Sequence, residues 1–112
     1  MSVMKFRNIP VKTEEGRFDS QGEFRRWREL QLLERGGAIE DLKRQVKLPI
    51  KVNGRHIAFY VADFVYKDGK RKVVEDYKSP ATAKLPDFRL KWKLMQALYA
   101  DHEFRISQRR TA

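Results

Sequence analysis

The run Ala62-Asp63-Phe64-Val65-Tyr66, the dipeptide Asp68-Gly69 and the run Val73-Val74-Glu75-Asp76-Tyr77-Lys78 follow one another along the chain. Asp-Gly between alternating apolar runs is the strongest short-range signal for a β-hairpin. A chain with this signal is committed to an antiparallel ribbon at its centre. Closing the turn on Asp68-Gly69 sets Lys67 opposite Lys70 and Asp63 opposite Val74, with Asp76 the diagonal neighbour of Asp63. Side chains alternate faces with period two, so Asp63, Asp76 and Lys78 share one face and Glu75 takes the other. The ribbon is otherwise rich in Val, Phe and Tyr. Two carboxylates and an ammonium on one face are therefore the candidate chemistry.

The flanking sequence predicts the remaining elements. A helix over 20–35 starts at Ser20, with Glu23 at the capping-box position, and stops at Gly36-Gly37. Residues 43–52 alternate weakly and contain Pro49, which suits an edge strand. Asn53-Gly54 is a second tight turn. Residues 56–66 are apolar on both faces and predict a central strand, with 71–78 as its partner. Residues 79–85 read as a loop. Pro86 suits the first turn of a helix reaching about residue 100, and 103–107 reads as a last strand. A basic, irregular arm (1–19) precedes the domain (20–107), and a basic tail (108–112) follows. The order α-β-β-β-α-β predicts a single α/β (α+β) domain with a mixed central sheet flanked by helices. A chain of 112 residues is long enough to bury one core.

Composition narrows the function classes. There is no cysteine, which excludes thiolate zinc sites, disulfides and Cys nucleophiles. No apolar run approaches the roughly 20 residues of a membrane span, and no signal-peptide core is visible, so a reducing, cytoplasmic setting is expected. The chain has 25 Lys+Arg against 15 Asp+Glu, a formal charge of +10. That excess favours a polyanionic partner, nucleic acid first and acidic lipid second. The cations cluster at Lys5, Arg7, Lys12 and Arg17, at Arg25, Arg26 and Arg28 on the exposed side of the first helix, at Lys84, Arg89 and Lys93, and at Arg109-Arg110. Such residues bind phosphate without reading sequence. Arg17, Arg25, Arg28 and Lys84 are the candidate nucleic-acid contacts. Lys91, between Phe88, Trp92 and Met95, either snorkels or reaches toward the site.

Phosphodiester hydrolysis needs a nucleophilic water near neutral pH and positive charge at the phosphate and the leaving oxygen. A divalent cation supplies both. Mg²⁺, with Mn²⁺ as the alternative, takes oxygen ligands and keeps several waters, so one to three carboxylates suffice. Asp63 and Asp76 are the first candidates, and Lys78 can act as a compact charge on the water or phosphate. The bland alternative is a surface ion pair between Asp76 and Lys78. Glu23 serves as a helix cap or as a further ligand, because at about 100° per residue it falls on the apolar arc with Trp27 and Leu30. Glu34 shares that arc but lies too far along the helix. Glu75 is expected to pair with a basic residue. His56 and His102 read as solvated or satisfied, and Trp27 and Trp92 as core anchors.

This pattern resembles the PD-(D/E)xK nuclease superfamily, whose restriction-endonuclease-like core has the same element order. More narrowly it resembles a family of small phage and prophage nuclease-like proteins. The resemblance rests on Phe18-Asp19-Ser20-x-x-Glu23, Leu32-Leu33-Glu34-Arg35-Gly36-Gly37, Gln45-x-Lys47, Tyr60-x-Ala62-Asp63-Phe64-Val65-Tyr66 and Val73-Val74-Glu75-Asp76-x-Lys78. It covers about residues 18–94. Two positions depart from the usual pattern: Ala62 stands where Pro often precedes the first acid, and Asp76 where Glu is more usual. Neither change removes a carboxylate. The resemblance implies a catalytic set of Glu23, Asp63, Asp76 and Lys78, with the three acids holding Mg²⁺. It also implies that Gln45 orients water or substrate. The implied activity is a DNA endonuclease, by analogy with junction resolvases one acting on branched recombination or replication intermediates. Cutting a junction would need two sites and hence a homodimer, although no heptad or apolar patch in the sequence announces one. The alternatives are a non-catalytic nucleic-acid-binding module and a basic interaction subunit of a phage complex.

Overall fold

The central hairpin forms, but its turn lies one residue later than the Asp-Gly signal suggests. In the computed structural model, which describes residues 9–108, strands β4 (Arg55–Asp68) and β5 (Arg71–Tyr77) are joined through Gly69-Lys70. Gly69 takes φ +67° and Lys70 does not take positive φ, so the glycine occupies the first central position of a type II′ turn. A turn centred on Asp68-Gly69 would instead have needed positive φ at the aspartate. The register moves accordingly: Lys67 pairs with Lys72 and Phe64 with Glu75, which sets Asp63 opposite Asp76 rather than Val74. The displacement is two residues. An even displacement leaves the face assignments intact, whereas a shift of one would have reversed them.

Strand β3 (Glu40–Val52) starts three residues before the expected boundary and pairs antiparallel with β4 through Asn53-Gly54, both at positive φ as a type I′ turn requires. The four-stranded order is β3-β4-β5-β6, with β6 (His102–Ser107) parallel to β5. The sheet is therefore mixed. It places Pro49 on an edge strand, where its missing N–H breaks no interior ladder. Helix α1 (Gln21–Arg35) is capped by Ser20 and stops at Gly36, as its sequence predicts. The segment after β5 is not wholly a loop: α2 (Pro80–Ala83) forms one turn before α3 (Pro86–Leu98). Among the described residues no helix is long and apolar enough to cross a membrane.

Residues 11–18 also depart from expectation. They form a hairpin of β1 (Val11–Thr13) and β2 (Gly16–Phe18), reversed at Glu14-Glu15, with Gly16 at φ +113° where β2 begins. Strands of three residues are too short to give a period-two signal. The hairpin docks on α1 through Glu15, whose Oε2 accepts from Trp27 Nε1 (3.0 Å) and Gln31 Nε2 (2.6 Å). Lys5, Arg7, Arg109 and Arg110 of the basic clusters lie outside the described residues.

The core has one half on each face of the sheet. Phe18, Trp27, Leu30, Ile39, Phe64, Tyr66 and Val73 pack beneath α1. Ile50, Tyr60, Ala62, Val74 and Met95 pack beneath α3. Ala62 and Phe64 are two apart yet belong to opposite halves, so the alternation of β4 breaks at Asp63. Their β3 partners, Val46 and Arg44, flank Gln45, which takes φ +53°. Both strands thus roll over at the Gln45–Asp63 rung. A non-glycine residue at positive φ within a strand is strained, and such strain gathers where structure serves function.

Candidate functional site

The site begins at the N-terminus of α1. Ser20 Oγ accepts from the Glu23 amide at 3.1 Å, which forms the helix cap. The Glu23 carboxylate turns to the sheet, only 3% of the residue being exposed. Its Oε2 lies 3.5 Å from Gln45 Nε2 and 3.8 Å from Arg44 Nη2. Gln45 Nε2 also donates to Asp63 Oδ1 at 3.3 Å, so one amide bridges two acids from different elements. The backbone rollover at Gln45 sets this bridge.

Asp63 and Asp76 take over the end of the β4–β5 ladder. The Asp63 amide donates to Asp76 Oδ1 at 2.8 Å, and the Tyr77 amide donates to Asp63 Oδ2 at 2.9 Å. Carboxylates here accept bonds that carbonyls accept along the rest of the hairpin. A cavity of about 70 Å³ opens beside them, lined by Asp19, Glu23, Asp63, Lys78, Ser79 and Thr82. Lys78 lines this cavity, and its ammonium lies 5.2 Å from the Phe88 ring centroid. Asp76 does not line the cavity. It stands behind Asp63, 1% exposed.

The electrostatics are those of crowded, buried acids. Burial first, then the neighbouring charges of Asp63 and Asp19, push the Glu23 carboxyl up from 4.5 to about 7. Burial likewise raises Asp63 and Asp76, against the opposing pull of backbone N–H donors and of Lys78. Like charges held out of water favour protonation or a bound cation. The donors are all oxygen, which suits a hard cation such as Mg²⁺ or Mn²⁺. Asp76 is committed to the backbone, and among the described residues no three Asp, Glu or His side chains converge on one point. Asp19, Glu23 and Asp63 are the acids that face the cavity.

Glu75 behaves differently. Arg26 Nε and Nη2 donate to its carboxylate at 2.6 and 3.0 Å, and Tyr66 Oη donates at 2.6 Å. Burial works against the charge, but these hydrogen bonds prevail and hold Glu75 below its ordinary value. Pairing with a basic residue is what the sequence predicts. The partner, however, comes from the three arginines expected on the exposed side of α1. Arg26 is half-buried because Glu75 draws it inward.

The other candidate residues scatter. Arg17 is exposed on β2, and its carbonyl accepts from Arg44 at 2.6 Å. Arg25 lines a second, wider cavity of about 430 Å³ with Arg26, Glu29 and Tyr77. Arg28 pairs with Glu15 at 3.5 Å, which spends part of its charge internally. Lys84 is exposed at the end of α2, and Lys91 is exposed on α3 and does not line the carboxylate cavity. His56 packs against Phe59 with the rings tilted by 58°, and His102 bonds Asp101 at 2.8 Å. Two residues near the site are not among those the sequence assigns to it. Asp19 precedes the N-cap, one turn before Glu23, and that spacing was the available signal. Arg44 lies 3.8 Å above the Phe18 ring and fastens the β1–β2 hairpin to the sheet, a role with no sequence signature.

A family model described as "Protein of unknown function (DUF1064)" matches residues 3–110. The chain belongs to this family. No curated protein and no solved structure matches it. The DUF1064 match runs from before β1 to beyond β6, so Glu23, Gln45, Asp63, Asp76 and Lys78 all lie within the family's span. Every element that shapes the cavity belongs to that span too.

Proposed function

We propose that this protein is a Mg²⁺-dependent DNA endonuclease of the PD-(D/E)xK kind, acting in the cytoplasm of a phage-infected or prophage-bearing cell. The observation that carries this reading is the gathering of Glu23, Asp63 and Lys78 around one cavity, with Asp76 buried directly behind. In this reading Glu23 and Asp63 hold the cation, and Mn²⁺ substitutes for Mg²⁺. When bound, the cation lowers the pKa of a coordinated water and stabilises charge on the phosphate. Asp76 fixes the Asp63 backbone, and Gln45 fixes the Glu23 and Asp63 carboxylates relative to each other. Lys78 places a compact positive charge where a phosphate oxygen would enter. The excess of positive charge draws the polyanion in. Branched DNA, and the homodimer that cutting a junction requires, are the finer part of the proposal.

Incubating the purified protein with linear, single-stranded, flapped and four-way DNA tests this reading. Mg²⁺, Mn²⁺ or chelator is added in parallel. Metal-dependent cleavage of at least one substrate is expected. A protein that cuts none of them with either metal contradicts the proposal. A second reading has its own observation. Asp63 and Asp76 both accept backbone N–H groups, a structural task that a non-catalytic nucleic-acid-binding module of this fold would also need. Tight binding without cleavage is the result that favours it.

A further inference from the structure

We propose that the open face of the β3–β4 arm is a track for an unpaired nucleic-acid strand, leading into the carboxylate cavity. The proposal rests on the nuclease reading only for what happens at the cavity, not for binding along the arm. Beyond the Gln45–Asp63 rung, the paired residues of the arm present two faces. Leu48, Ile50, Tyr60 and Ala62 pack toward α3, and Tyr99 Oη donates to the Pro49 carbonyl at 2.6 Å. The other face is uncovered. Its rungs are Lys47 opposite Val61, Pro49 opposite Phe59, and Lys51 opposite His56. It is the face turned away from α3, and it ends at the Gln45–Asp63 rung.

This face has an unusual composition for a solvated surface. Phe59 is 55% exposed and Val61 46%. The His56 ring lies 4.5 Å from the Phe59 ring, and Lys47 Nζ lies 5.9 Å from the Phe59 centroid. From residue 42 to residue 62 the chain carries Lys43, Arg44, Lys47, Lys51 and Arg55, while all 15 acids lie elsewhere. Exposed rings flanked by cations and free of acids suit a strand whose bases stack and whose phosphates are neutralised. Lys47 and Lys51 are four residues apart along one strand, about 14 Å, a span that takes in more than one phosphate. The strand is unpaired because a ring on a flat face can stack only on a base that is not stacked within a duplex. A second copy of this chain is the other candidate for an exposed apolar face. A two-fold contact through the arm would set its five cations against the same five, which opposes self-association.

The test uses the full chain in EDTA, with a fluorescein-labelled single-stranded oligodeoxynucleotide and the same sequence annealed to its complement. Anisotropy is followed across a salt series. Phe59→Ala is expected to weaken single-strand binding about tenfold, within the range for one lost base stack, and to change duplex binding little. The double variant Lys47→Ala/Lys51→Ala is expected to reduce the single-strand salt slope by about 1.4, from about 0.7 per cation. Both changes are on exposed positions, and circular dichroism verifies the fold. Single-strand affinities within about twofold of the parent for both folded variants would overturn the track. So would sedimentation in which Phe59→Ala turns a dimer into a monomer without changing strand affinity, which would assign the face to a second copy. The two proposals fail separately. A parent that needs Phe59 to bind the strand but cuts nothing with metal keeps the track and loses the nuclease. A parent that cuts while both arm variants bind normally keeps the nuclease and loses the track.

Discussion

Glu23→Gln is the most informative single change, because it separates a crowded acid from an ordinary helix cap. The glutamine matches the shape of the protonated acid and leaves the Ser20 cap bond to the residue 23 amide in place. In the folded chain the Glu23 carboxyl titrates near 7, against 4.5 without the fold. Between those values the folded state keeps a proton that the unfolded state has lost. Stability attributable to this group is therefore intact below about pH 4.5 and falls as pH rises toward 7. The gap between 4.5 and about 7, at about 1.4 kcal/mol per pH unit, is worth about 3 kcal/mol. Glutamine does not titrate, so the variant should match the parent near pH 4 and exceed it by up to about 3 kcal/mol near pH 8. For a chain of this length that corresponds to a melting temperature roughly 10 °C higher. The assay is urea and thermal unfolding of both proteins in EDTA across that pH range. Parallel pH profiles for the two proteins would refute the reasoning, because they would mean that Glu23 titrates as an exposed carboxyl.

Three further outcomes are expected. Asp76→Asn keeps the acceptor for the Asp63 amide but removes the negative charge behind the cation site, and Lys78→Ala removes the ammonium beside it; both should abolish metal-dependent cleavage in a DNA-nicking assay, while Asp76→Asn unfolds no more easily than the parent. Arg26→Ala should destabilise the fold by about 3–5 kcal/mol in urea unfolding, because it strands the buried Glu75 charge, and adding Glu75→Gln should recover much of that loss. In differential scanning fluorimetry near pH 8, millimolar Mg²⁺ should raise the parent's melting temperature and leave Asp63→Asn unmoved, since the cation relieves repulsion only where both carboxylates are charged.

What the sequence disclosed and what it hid follow a physical rule. Ser20, Pro49 and Asn53-Gly54 each act on the backbone within a few residues, and each stands where its chemistry predicts. The hairpin at Asp68-Gly69 was legible, but a glycine can serve either central position of a two-residue turn, so the exact rung was not. The error was even, and Asp63 and Asp76 stayed neighbours. The β1–β2 hairpin was hidden because three residues per strand carry no period. The rollover at Gln45 was hidden because positive φ at a glutamine is imposed by contacts with Glu23 and Asp63, not by its own preference. For the same reason nothing in the sequence singled out Arg44, which bridges two elements.

The four buried acids make a comparison within one molecule. Glu75 is as deeply buried as Asp76, yet Arg26 and Tyr66 compensate it fully and its carboxyl is held below the ordinary range. The fold can therefore neutralise an acid where it needs only structure. Glu23, Asp63 and Asp76 receive no such partner: Arg44 stays 3.8 Å from Glu23, and Lys78 only tempers the rise at Asp63 and Asp76. Hydrogen bonding does not explain them either. Asparagine at 76 would accept the Asp63 amide equally well without burying a charge, and burying an unpaired charge is among the costlier things a fold can do. Three carboxyl groups that their partners compensate only in part, two lining one cavity and Asp76 behind them, in a chain with 25 Lys and Arg to draw on, place the deficit of positive charge where a cation from outside the chain can fill it.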